Sequence, residues 1–152
     1  MKWLTFEVIA LAQINIDKYI YRSEKPTLIS FVSLNCPACN DMIPHWNNAI
    51  KKYQKNTNFL MIIVGKNRGE IESMLSKHKI LGNVIVDHDN EILTDFGVRV
   101  TPFAFATDKM GIVKDKGLCN NLLHIEHFIS GVTNDNEISK QKILEKGVKV
   151  HA

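Results

Sequence analysis

The sequence predicts an α/β domain in which a central mixed sheet carries helices on both faces. Three observations predict it. Short apolar, β-branched runs alternate with segments of helical periodicity along most of the chain. One run, FLMIIVG at 59–65, is too continuously apolar for a half-exposed strand and suits a parallel strand buried on both faces. Near the end, FAFAT at 103–107 and GIVKDKG at 111–117 flank Asp108-Lys109-Met110-Gly111, a polar turn closing on glycine, as in an antiparallel hairpin.

Taken in order, residues 5–13 alternate apolar and polar as a first strand, and 15–22 suit a short helix. TLISFVS at 27–33 is a buried strand, followed by a long helix from about 36 to 54. After FLMIIVG, the segment RGEIESMLSKHKI at 68–80 has helical spacing, with Ile71, Met74, Leu75 and His78 on one side. NVIVD at 83–87 is a strand, and NEILTDFGV at 90–98 is a short helix stopping near Gly97. NLLHIEHFI at 121–129 closes the domain as an amphipathic helix.

A chain of 152 residues with 45% hydrophobic content supports one domain with one substantial core and is short for two. Residues 1–131 are assigned to that domain and 132–152 to a polar, Lys-rich tail, in which 136–146 form a surface helix or stay loose. The net charge of +3 is dispersed without a long basic run, which argues against nucleic acid as a partner. The opening MKWLTFEVIALAQ is interrupted by Glu7, lacks a convincing cleavage site and is too short to span a bilayer. As it stands the chain is expected in the cytoplasm; a leader or anchor in the organism's protein would make it extracytoplasmic.

Two of the three cysteines lie in Cys36-Pro37-Ala38-Cys39, directly after the strand at 27–33 and in the first turn of the long helix. Pro37 suits that place, because a first-turn proline gives up only an amide hydrogen that has no intrahelical partner. Cys36 then sits at the helix N-terminus, where free amides and the helix dipole stabilise a thiolate. Cys39, one turn on, is expected deeper and beside it. As a staple the pair is poor, since its loop is tiny. A zinc site lacks a second C-x-x-C, and the spacing of Cys119 and His124 matches no common zinc module. A redox pair is the preferred reading over an inert pair or a metal site.

FVSLNCPACNDMIP, with Pro44 five residues after the second cysteine, and VRVTPFAFATDKMGIVKDKG, with Thr101-Pro102 before the hairpin, together resemble the thioredoxin superfamily. The likeness spans about residues 5–130, and the added strand and helix at 83–98 look like the TlpA/ResA-type branch. KGLCNNLLHIEHFI at 116–129 is similar to the corresponding stretch of MauD-like proteins. The resemblance implies a thioredoxin-like fold with an inserted strand and helix. It implies a thiol-disulfide oxidoreductase in which Cys36 attacks, Cys39 resolves, and a cis Pro102 faces them with the Thr101 backbone free to dock substrate. It implies a protein or peptide thiol or disulfide as substrate, a redox partner protein, a monomer, and no metal or organic cofactor. The other class of function is a binding or chaperone module whose cysteines only sense redox state.

Two residues depart from the pattern. The buried aspartate that a typical thioredoxin carries six residues before its first cysteine is Ser30 here, and the usual tryptophan just before that cysteine is Asn35. Exchange chemistry survives both changes, which point to a dedicated partner or another proton route. On such a scaffold Cys119 and Leu118 are expected to line the substrate groove, against the plainer expectation that Cys119 packs as a small hydrophobe. Of His45-Trp46, one member is expected in the core and the other at the surface. Met42, Met61, Met74 and Met110 are expected to fill the core.

Overall fold

The computed structural model describes residues 25–133. The strand at 5–13, the helix at 15–22 and the tail helix at 136–146 lie outside the described residues. The described elements are β1 (Thr27–Ser33), α1 (Pro37–Tyr53), β2 (Asn58–Val64), α2 (Arg68–Lys77), β3 (Asn83–Asp87), α3 (Glu91–Asp95), β4 (Phe103–Thr107), β5 (Val113–Leu118) and α4 (Leu122–Thr133). Among the described residues the strands form a five-stranded sheet in the order β3-β2-β1-β4-β5. β1, β2 and β3 run parallel, while β4 pairs antiparallel with both β1 and β5. The sheet is therefore mixed, and among the described residues β3 from the inserted segment stands at one end of it.

The continuous apolar runs are explained by two cores, one on each face of the sheet. Alternate residues Leu28 and Val32 of β1 and Phe59, Met61 and Ile63 of β2 face a layer that includes Met42, Trp46, Met74, Ile125 and Phe128 from α1, α2 and α4. The intervening Ile29, Phe31, Leu60 and Ile62 face the other way, onto Ile92 of α3, Phe96 and Val98. There Phe96 stacks at 5.3 Å from Phe31 and 5.2 Å from Phe105. Each such fully buried apolar side chain is worth about 1.5–3 kcal/mol, so both faces must stay covered. On the first face Ala104 and Ala106 are small, which leaves room for the bulk of Trp46, packed edge-on at 5.3 Å from Phe59.

Local chemistry sets the element ends. The Asp87 carboxylate accepts the Glu91 and Leu93 amides at 3.0 and 2.9 Å, capping α3. Gly97, at φ 69°, ends α3: its N–H bonds Thr94 O at 3.0 Å while the Val98 N–H bonds Leu93 O at 3.1 Å. That pair is a Schellman motif, which only a left-handed residue closes without strain. In the hairpin, Asp108 accepts the Met110 and Ile112 amides at 2.9 and 3.0 Å, so β5 begins at Val113 rather than Gly111.

Three expectations need correction. α2 stops at Lys77 with His78 as its C-cap, and Leu75 is exposed, so only Ile71 and Met74 of the expected face are buried. Met110 sits exposed on the hairpin turn rather than in the core. α4 runs to Thr133, past residue 129 where the closing helix is expected to end, because Val132 still packs into the α1 layer. Of the pair His45-Trp46, Trp46 is buried and His45 half-buried. Glu126 of α4 holds the end of α1 by accepting from Lys52 at 2.8 Å and Tyr53 at 2.6 Å.

Trp46 anchors α1 to the sheet at 0% exposure. Replacing it with alanine is expected to cost about 3–5 kcal/mol in a urea titration. Trp46→Phe should cost much less, because among the described residues the indole N–H has no hydrogen-bond partner to lose.

Candidate active site

The reactive end of the molecule is the C-terminal edge of β1. The chain leaves the strand through Asn35, in the left-handed region at φ 57°, a conformation that asparagine tolerates better than most residues. Cys36 follows as the N-cap of α1 with extended backbone at φ −124°, and Pro37 takes the first helical position. The Cys36 sulfur accepts the Cys39 amide at 3.2 Å, in the manner of an N-cap oxygen. The two cysteines are joined as a disulfide with their Cα atoms 5.1 Å apart. Cys39 is buried, whereas Cys36 is half-buried between exposed Asn35 and exposed Pro37 and Ala38. The outer sulfur is thus the reachable one. No acidic residue occupies the first turn of α1, so its dipole favours negative charge there unopposed.

Opposite the sulfurs lies Thr101-Pro102, whose peptide bond is cis. The Thr101 hydroxyl and carbonyl oxygens both lie 3.7 Å from Cys36 Sγ. Ser33, the last residue of β1, bonds the Thr101 hydroxyl at 2.8 Å. Sequence reading missed Ser33, since no local pattern marks a strand-end serine as the neighbour of a residue 68 positions later. The surroundings of the disulfide are asymmetric. On the β4 side Val100 and Leu118 expose 51% and 52% of their surface. On the other side a cleft of about 210 Å³ separates Asn35 and Asn40 from Glu70, Lys77 and His78 on α2 and its C-cap.

Cys119 does not line a groove. Its exposure is 0%, and it packs in the same core layer as Cys39, Ala104 and Ile125. Its amide donates to Pro102 O at 3.2 Å, which places its backbone directly behind the cis-proline. Burial pushes its thiol up to about 12. Leu118, one residue earlier on the edge strand, keeps its place on the surface, paired in register with Phe103. Ser30 is also fully buried in β1, and among the described residues its hydroxyl has no hydrogen-bond partner.

The AhpC/TSA family matches residues 4–117. The chain belongs to that family. It is 28% identical over 130 residues to the thiol-disulfide oxidoreductase YkuV of Bacillus subtilis, covering 82% of this chain and 76% of that protein. It is 27% identical over 107 residues to the methylamine utilization protein MauD of Paracoccus versutus, covering 70% of this chain and 52% of that protein. The chain therefore spans about half the length of that relative. A thioredoxin-like protein solved in its oxidised form superposes with a TM-score of 0.66 at 25% identity, covering 74% of this chain and 80% of that one. The fold is thioredoxin-like, and the Cys36–Cys39 pair is equipment for disulfide exchange.

The raised thiol of Cys119 makes a pH prediction with a definite sign. The unfolded chain ionises this cysteine above about 8.5, while the folded protein keeps it neutral until about 12. Its contribution to stability is complete below the lower value and is lost between the two, by up to about 1.4 kcal/mol per pH unit. Denaturant midpoints measured from pH 8 to 11 should therefore fall less steeply in Cys119→Ala than in the parent.

Proposed function

We propose that the protein is a thiol-disulfide oxidoreductase acting on a protein or peptide substrate, with Cys36 attacking, Cys39 resolving and a redox partner protein resetting the pair. The observation that carries this reading is the Cys36–Cys39 disulfide at the N-terminus of α1, outer sulfur reachable and inner sulfur buried.

From the reduced state, the Cys36 thiolate attacks one sulfur of a substrate disulfide. A mixed disulfide forms, the substrate bond breaks, and the departing substrate thiolate takes a proton from solvent. Cys39 then loses its proton and attacks Cys36 Sγ, closing the internal disulfide and releasing the substrate as a dithiol. Two electrons pass from enzyme to substrate, and the reverse sequence oxidises a dithiol. The residues of the site support each step. The N-cap position and the Cys39 amide favour the attacking thiolate. The 5.1 Å Cα separation lets the pair close without moving the backbone. Thr101, before Pro102, offers backbone to an extended substrate, and Val100 and Leu118 offer apolar contact beside it.

The cysteines have different roles and should give different variants. Cys36→Ser is expected to abolish turnover of a disulfide substrate, whereas Cys39→Ser should retain attack and accumulate mixed disulfides visible by non-reducing electrophoresis. Equal trapping by both variants would overturn the assignment. A pair that equilibrates with a glutathione series yet turns over no disulfide would point instead to redox sensing.

A further inference from the structure

We propose that Ser33 is a positioning residue for the attacking cysteine: acting through the Thr101 hydroxyl, it directs an O–H donor at Cys36 Sγ and stabilises the thiolate. The inference rests on the exchange function proposed above and adds a residue to it.

Three groups form a chain. Ser33 Oγ and Thr101 Oγ1 are 2.8 Å apart, and Thr101 Oγ1 is 3.7 Å from Cys36 Sγ. Each hydroxyl has one proton to give, so the direction of the chain depends on its sulfur end. Neither a disulfide nor a thiolate sulfur carries a proton, and either accepts only. The Thr101 hydroxyl therefore donates to Sγ, and its lone pair takes the Ser33 proton. The thiolate then receives two donors, the Thr101 hydroxyl and the Cys39 amide at 3.2 Å. Donors aimed at the charged form lower a thiol's pKa.

The neutral thiol has a separate outlet. Its S–H reaches the Thr101 carbonyl, also 3.7 Å away. Thr101 thus serves both protonation states with different atoms, and Ser33 selects between them by holding the hydroxyl proton toward the sulfur. Remove the Ser33 hydroxyl and the Thr101 O–H loses the partner that fixes its rotor. The dipole of α1 acts regardless of Ser33, so substitution at this position isolates the hydroxyl chain from the helix.

The test is the pH dependence of alkylation of the reduced full chain by iodoacetamide, read by mass spectrometry, with fragment ions of the peptide that carries both Cys36 and Cys39 assigning the label to Cys36 and with Cys119 resolved on its own peptide. Thr101→Val, which removes the direct donor at nearly constant shape, should raise the Cys36 midpoint by about one pH unit, the scale of one charge-assisted hydrogen bond. Ser33→Ala should raise it by about half a unit, part of that effect. Ser33→Thr, which keeps the hydroxyl, should stay with the parent. Ser33→Ala added to Thr101→Val should move the midpoint no further. An unmoved midpoint in Ser33→Ala, an equal rise in Ser33→Thr, or an additive double variant would each overturn the proposal. The readout is ionisation of one sulfur rather than turnover. Failure of the exchange function would therefore appear in the disulfide assay and leave this result distinct.

Discussion

The reactive end of the protein depends on the burial of one face of α1 against the sheet. Cys39, Met42, Ile43, Trp46, Ala49 and Ile50 all face the core from that helix, and the hydrophobic effect holds them there. Because Cys39 belongs to the buried face while Cys36 caps the helix, one packing interaction decides which sulfur is hidden and which is presented. Pro44 lies exposed within the same helix and lacks the amide that would bond the Asn40 carbonyl. The helix tolerates this loss because its buried face, rather than its hydrogen bonds alone, fixes it to the sheet.

The second half of the site arrives through strand pairing. β4 runs antiparallel to β1, with Phe103 opposite Phe31 and Ala104 opposite Ser30. That register carries Thr101 and Pro102, just before β4, to the end of β1 where Ser33 and Cys36 lie. A shift by one residue would turn Phe105 away from the aromatic cluster on the far face and force Ala104 into it. The aromatic packing around Phe31, Phe96 and Phe105 therefore also fixes where the Thr101 hydroxyl sits. In this way the core on the face away from α1 helps to shape the surroundings of the sulfurs.

Much of this was legible in the chain itself. The strands at 27–33, 83–87 and 103–107 stand at the bounds the sequence predicts, since each is a short β-branched or aromatic run between clear breakers. Gly97 and the Asp108 turn were legible because their chemistry is local. The misreadings share a cause. Leu75 and Met110 are apolar, but whether an apolar residue is covered depends on which neighbouring element reaches it. The closing helix reads as ending at 129, yet the burial of Val132 carries α4 on to Thr133.

The fold class, the reactive motif and the order of its parts follow from the chain alone, because periodicity, capping and C-x-x-C spacing are properties of neighbours along it. The tertiary structure decided what surrounds the sulfurs. Cys119 is polarisable, apolar and near the hairpin end, which suits either a groove or a core. Only the packing of α4 over β4 and β5 encloses it and raises its thiol to about 12. Ser33 and Thr101 are ordinary hydroxyl residues in the sequence, 68 positions apart. They become partners because antiparallel pairing of β1 and β4 closes the intervening chain into a loop, and no local signal encodes a contact made by that closure.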